Sequence, residues 1–313
     1  LNRRIAFIGA GTIIEMFYIP QLKSMGFSDF CVYDSNSNRT EFLSKAYNIN
    51  TGTFEQCATA DVIILGIPPG NKFDLLYSLI APGKTIICEK PFVHHLNQAK
   101  QLVNKAKLAN CDLLVAHIRR LFSGIDIAHA HLRNNSYGKL IKAHIMEGNR
   151  YQYKTQSNYI SNNPLGGVLL DTGSHALDAF LYVTNMHMLN NLNVEVRNAK
   201  RDKTEPSHEN KFQFILNDIE VNLHLSRYET LANKMNLYFE HALVEVPLLL
   251  KPSIRITPNE NESFVVHAGT SVNYMSEAFR LQLYHMLIKK DASLFEANSF
   301  ISLSGILQQL LAA

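Results

Sequence analysis

Three stretches of the chain carry residue types that can do chemistry together. The first is Gly9-Ala10-Gly11-Thr12-Ile13, which joins a short apolar run to a helical pattern. A first glycine there permits a tight turn. A second lets the backbone approach a pyrophosphate resting on the helix N-terminus. Asp34 closes the next apolar run, a little beyond the usual spacing of about 20 residues. A carboxylate at that place accepts ribose hydroxyls and repels a 2′-phosphate, which favours NAD, while Arg39 can still accommodate the phosphate of NADP. The competing reading is a plain strand-to-helix turn. Ile14 replaces the third glycine, so helix and strand are expected to pack further apart.

The second stretch is Glu89-Lys90-Pro91, directly after an apolar run that ends at Cys88. Ligands of open parallel sheets collect at the carboxyl ends of strands, so Lys90 is expected to face the crevice, held extended by the following proline. A surface Glu–Lys pair is the alternative. The third stretch is Gly166-Gly167-Val168-Leu169-Leu170-Asp171-Thr172-Gly173-Ser174-His175-Ala176-Leu177-Asp178. A helix from Val168 would put Asp171 and His175 at i, i+4 on one face, with Asp178 a turn further on. A histidine beside a carboxylate can be a general base; a capping cluster or a core histidine remain open. Two ligands with no third argue against a metal. The two glycines suggest close approach of the backbone to something. Arg120 can hold a substrate oxygen or make an interdomain ion pair. Tyr151, Tyr153 and Tyr159 are candidates for a sugar pocket.

The elements that must position these residues follow from periodicity. Ile5 to Ile8, Phe30 to Tyr33, Asp61 to Ile67, Lys84 to Cys88 and Leu113 to Ala116 are apolar runs separated by helical patterns, the order expected of βαβ units and a parallel sheet. After a helix near 124–134 the period changes to two, over 138–149, 212–216, 219–225 and 235–239, the mark of an open antiparallel sheet with one wet face. Segment 197–210, charged and rich in breakers, reads as a solvated hairpin tip. Two helices, near 272–290 and 293–311, close the chain. The expected fold is α/β: a Rossmann-like doubly wound parallel sheet in a dinucleotide-binding domain over 1–120. An α+β domain over 121–313, with an open and mostly antiparallel sheet, would bind substrate and make the oligomer.

Composition narrows the classes. The chain has 313 residues, 46% hydrophobic and 18% charged, which excludes a disordered or collagen-like protein. A formal net charge of +3 with scattered cations gives no footprint for nucleic acid. No window approaches the ~20 apolar residues of a membrane span. The Arg3-Arg4 start followed by Ile5 to Ile8 is too short an apolar run for a signal peptide, and Glu15 follows without a cleavage region. The four cysteines form no CxxC pair and most lie in or beside apolar runs, so a soluble protein of a reducing, cytoplasmic compartment is expected.

Taken in order, the glycine loop with Pro20, Ile67-Pro68-Pro69, Glu89-Lys90-Pro91, His117-Ile118-Arg119-Arg120 and the Gly-Gly to Asp178 stretch resemble the glucose–fructose oxidoreductase / inositol dehydrogenase (Gfo/Idh/MocA) family over nearly the whole chain. The resemblance implies hydride transfer between a nicotinamide and a secondary alcohol or ketone of a sugar, sugar derivative or cyclitol. Lys90, Asp171 and His175 are then the catalytic residues, His175 taking the hydroxyl proton, Lys90 bonding the developing alkoxide, and Asp171 orienting His175 or a substrate hydroxyl. Gly9, Gly11, Thr12, Ile13, Asp34, Ile67, Pro68, Glu89 and Lys90 would hold the dinucleotide, and Arg120, Tyr151 and Asp171 the substrate. The sheet's outer face would make a homodimer or homotetramer. Departures from the family pattern are Ile14, Lys72 where a histidine is common, and Glu240-His241-Ala242 in place of a glycine-rich turn. A redox glycosidase and a non-catalytic dinucleotide-binding protein are the competing functions.

Overall fold

Apolar runs bounded by turn residues become the strands of a parallel sheet: β1 (Ile5–Ile8), β2 (Phe30–Tyr33), β3 (Asn50–Thr51), β4 (Val62–Leu65), β5 (Thr85–Glu89) and β6 (Asp112–Ala116). The computed structural model describes residues 3–150, 163–189, 192–202, 204–269, 271–289 and 291–313. The strand order is β3-β2-β1-β4-β5-β6, every neighbour parallel. This order reverses between β1 and β4, and at such a switch point the carboxyl ends of the strands open a crevice. β1 and β4 are buried along their whole length because helices cover both faces.

Two features of this sheet escape periodicity. β3 is two residues long, too short to show a pattern. The helix Phe54–Ala58 is announced only by its capping box, Thr53 accepting from Gln56 N–H while the Gln56 side chain accepts from Thr53 N–H. The first helix is also unusual. It starts as a π-helical turn, Ile14–Tyr18, before the α-helix Ile19–Ser24 with Pro20 in its first turn. Ile14 does not stand off from the sheet. A Cβ on Gly66, just past β4, would lie 2.9 Å from the Ile14 side chain, so Gly66 makes the room that the missing third glycine would have made.

The second sheet has eight strands: β7 (Leu140–Gly148), β8 (Val194–Arg201), β9 (Glu209–Leu216), β10 (Ile219–Ser226), β11 (Lys234–Phe239), β12 (Ala242–Pro247), β13 (Ser253–Pro258) and β14 (Phe264–His267). Their order is β14-β13-β12-β11-β7-β10-β9-β8. Only β7 with β10 is parallel. Alternate residues of β9, β10 and β12 are buried, as a period of two requires, and the helix Ser123–Leu132 packs on β12 and β13. The α/β architecture, parallel sheet first and mostly antiparallel sheet second, is the one expected.

The charged stretch 197–210 is not a solvated tip. Its first part belongs to β8, and the turn beyond it folds inward, Ser207 O accepting from Val168 N–H at 2.8 Å. A Cβ on Gly167 would sit 3.3 Å from Ser207 O, so the close approach that the two glycines allow is to this turn.

The closing helices return to the first sheet. Met275–Leu283 brings Phe279 onto Phe17, stacked at 4.5 Å, and against Tyr18 at 5.5 Å. Ile301–Ala312 lies on Leu96–Ala109, where Gln308 accepts from Leu96 N–H at 2.9 Å. All four cysteines are buried and unbridged. Among the described residues no helix is long and apolar enough to cross a membrane.

Candidate active site

The glycine loop folds as its residue types demand. Gly9 has φ +99, and a Cβ there would lie 2.5 Å from Gly66 O, so only glycine fits between β1 and β4. Around Gly11 a Cβ would meet nothing within 4 Å, which leaves its outer side open to a bulky group. Thr12 and Ile13 lie in the first helical turn, where N–H groups have no partner one turn back and can receive an anion. Asp34 stands at the end of β2 and accepts from Ala10 N–H at 2.6 Å and Asn36 N–H at 2.8 Å. The carboxylate is thereby fixed beside the loop with lone pairs to spare. Arg39 is anchored to Ala10 O at 3.0 Å and to the Glu15 carboxylate at 2.5 Å. Ile67 and Pro68 follow β4, and the Ile67 side chain packs against the loop so closely that a Cβ on Gly9 would come within 3.1 Å of it. These residues line the switch point, and their chemistry fits a dinucleotide.

Lys90 leaves the end of β5, two strands along the sheet from the β1 end that carries the glycine loop. Its ammonium donates to Asp171 Oδ1 at 2.7 Å and to Asp171 O at 3.2 Å. The other carboxylate oxygen, Asp171 Oδ2, accepts from Arg227 Nη2 at 2.9 Å. Asp171 thus bridges a cation of the first sheet and one of the second. No motif draws attention to the second of these, Arg227. Burial alone would raise the Asp171 pKa; the charges and hydrogen bonds of Lys90 and then Arg227 outweigh it and bring the carboxyl down to about 2.

Among the described residues no hydrogen bond joins Asp171 to His175, because the Asp171 carboxylate oxygens accept from Lys90 and Arg227. The π-helical turn Leu169–Gly173 precedes the α-helix that begins at Ser174. The ring that faces His175 is His117, edge-on at 5.8 Å between centroids. His175 Nδ1 is buried without a hydrogen-bond partner among the described residues. Burial, then the nearby charges of Lys90, Arg119 and His117, hold the His175 pKa well below the ordinary value. The imidazole is therefore neutral near pH 7 and can accept a proton.

Behind the crevice lies a second layer. Glu89 is almost fully buried, and burial pushes its pKa up. Tyr18 OH donates to its Oε1 at 2.7 Å and Lys90 N–H to its Oε2 at 3.1 Å. The π-helical turn aims Tyr18 at this spot. Arg120 is away from the open crevice. It is 1% exposed, donates to both oxygens of Asp178 (Nη2 to Oδ1 at 2.6 Å, Nε to Oδ2 at 3.1 Å), and reaches Leu294 O at 2.7 Å and Ser299 Oγ at 3.0 Å. Of the two roles open to it, this geometry supports the ion pair rather than a substrate contact. Its neighbour Arg119 pairs with the buried Glu147 at 2.6 Å. Tyr151, Tyr153 and Tyr159 lie outside the described residues. A cavity of about 540 Å³ beside the helix Met275–Leu283, lined by Ser123, Asp126, Glu277 and His285 among others, includes none of Lys90, Asp171 or His175. Among the described residues, one trio could hold a metal, Glu209, His224 and Glu229, but Lys211 already neutralises Glu209 at 3.0 Å.

Residues 3–117 match the profile of an oxidoreductase family with an NAD-binding Rossmann fold, GFO_IDH_MocA. The match spans the parallel sheet and stops short of the second sheet. An uncharacterized oxidoreductase of Schizosaccharomyces pombe is 25% identical over 186 residues, 56% of this chain and 50% of the relative, so the match spans about half of that protein. The whole fold recurs in solved structures. UDP-N-acetylglucosamine 3-dehydrogenase from Acidithiobacillus ferrooxidans superposes with a TM-score of 0.76 at 16% identity, covering 99% of this chain and 97% of that one. A 3-ketoreductase from Actinomadura kijaniata, solved with NADP and TDP-benzene, gives 0.76 at 12% identity, with the same coverage of both chains. At such identities these likenesses show the fold alone.

Proposed function

We propose that this chain is an NAD-dependent oxidoreductase that moves hydride between the nicotinamide and a secondary alcohol or ketone of a sugar, sugar derivative or cyclitol. The observation that carries the reading is the convergence of Lys90, from the first sheet, and the Asp171–His175 helix, from the second, beside a glycine loop suited to a dinucleotide. When bound, the nicotinamide supplies the hydride acceptor. His175, neutral near pH 7, takes the hydroxyl proton as the carbinol is oxidised. Lys90 donates to the oxygen on which negative charge develops, and Asp171, gripped by Arg227, holds the ammonium in place until substrate arrives. Polyhydroxylated substrates suit a site walled by Asp171, Arg227 and Lys90, because each can pair with a hydroxyl.

Preference for NAD rests on Asp34, whose carboxylate meets the adenosine ribose in this reading, and on Arg39, whose charge is already engaged by Glu15. The test is a polyol screen in which reduction of NAD and of NADP is followed by absorbance, alongside fluorescence titration of both nucleotides. NAD should bind about tenfold tighter or more and support oxidation of at least one cyclic polyol. Tighter NADP binding would remove the Asp34 argument. Cleavage of glycosides without net reduction would point to a redox glycosidase.

A further inference from the structure

Lys72 is wholly buried, 0% exposed, and it opens the helix Lys72–Leu79. Neither fact favours a lysine. An ammonium out of water is costly, and a cation at a helix N-terminus opposes the helix dipole. What offsets the cost is local: Nζ donates to Glu89 O at 2.7 Å and to Pro91 O at 2.8 Å. These two carbonyls stand on either side of Lys90. We propose that Lys72 is a positioning residue, fixing the peptide groups that flank Lys90 so that its ammonium projects toward Asp171.

The loop is held from both faces. Tyr18 OH and Lys90 N–H fix the Glu89 carboxylate, and Lys72 fixes the Glu89 and Pro91 carbonyls. Removing Lys72 leaves the buried Pro91 carbonyl without its donor and the Glu89 carbonyl with only the weak Cys88 thiol, 3.2 Å away, so the loop must turn to find others. Burial lowers the Lys72 pKa, with Cys88, Glu89, Lys90 and His94 the charged or titratable groups near it, but either protonation state retains two N–H donors. The clamp therefore rests on hydrogen bonding rather than on charge.

This assignment rests on the proposed role of Lys90 for its kinetic consequence, but its structural consequence needs no substrate. Lys72→Met keeps an apolar stem one atom shorter and removes every donor; Lys72→Gln, also one atom shorter, keeps two donors without charge. In crystal structures of the two variants, the 2.7 Å contact between Lys90 and Asp171 should open in Lys72→Met and persist in Lys72→Gln. With a polyol that the wild type oxidises, Lys72→Met should lose about 100-fold in kcat with KM nearly unchanged, the scale of a misplacement of roughly 1 Å. Lys72→Gln should recover most of that loss, and Lys72→Met should cost nothing further in a Lys90→Met background. An intact contact in Lys72→Met, a lost contact in Lys72→Gln, or additive losses in the double variant would each overturn the proposal. If Lys72→Met does not fold, Lys72→Leu, which also removes every donor, takes its place in both arms. Wild-type inactivity on every polyol would count against the proposed function and leave the crystallographic arm standing.

Discussion

Lys90→Met is expected to lower kcat for polyol oxidation by about 10³-fold while NAD affinity changes by less than about threefold. The argument is one of timing. In the resting structure the ammonium is held by Asp171 at 2.7 Å. Its catalytic bond, to an oxygen gaining charge, exists only along the reaction path, so its loss falls on kcat rather than on binding. Methionine retains the apolar stem and leaves Asp171 its bond to Arg227. Stopped-flow measurement of nicotinamide reduction, with nucleotide titration on the same sample, reads both quantities. Turnover within about tenfold of wild type would remove Lys90 from the chemistry.

Arg120→Met is expected to cost about 3–5 kcal/mol of folding stability, the range for removing one partner of a buried ion pair. Arg120 joins the end of β6 to Asp178 in the helix that carries His175, and to the carbonyl of Leu294 near the chain's end. It also lies over the Phe300 ring at 4.1 Å. Asp178 would be left buried beside His117, whose Nδ1 is 3.4 Å from its Oδ2, with no arginine to pair it. Chemical denaturation of the single variant and of Arg120→Met/Asp178→Leu separates charge from packing. The double variant should recover a large part of the loss, because no carboxylate is then stranded. A single variant within about 1 kcal/mol of wild type would mean that the interior cation does not hold these segments together.

Much of this fold is legible in the chain. Strands β1, β2, β4, β5 and β6 are short apolar runs ended by turn residues, and their spacing by helices leaves little choice of topology. Gly9, Asp34 and Lys90 can be placed because each closes a strand, and a strand's carboxyl end has a fixed place in such a sheet. Contacts made across the two sheets leave no such mark. Arg227 follows β10 with nothing in its neighbourhood to single it out, yet it completes the Asp171 bridge. The spacing of Asp171 and His175 gives no sign that the Asp171 carboxylate is taken by Lys90 and Arg227, nor that a π-helical turn precedes the α-helix at Ser174. Segment 197–210 looks polar because its carboxylate and hydroxyls bond one another. Asp202 accepts from Ser207 Oγ at 2.5 Å and from Tyr228 OH at 2.6 Å, which folds the turn toward Gly167 instead of into water. Lys72 stands out in the chain only as a departure from the family pattern; its meaning needs the two carbonyls.

The most direct measurement is a crystal structure of the protein with NADH and a polyol that it turns over. The account predicts one carbinol oxygen within about 3 Å of both Lys90 Nζ and the His175 imidazole, with the Lys90–Asp171 contact loosened to admit it. A polyol seated elsewhere, or one touched by Lys90 while His175 stays walled off behind His117, would contradict it.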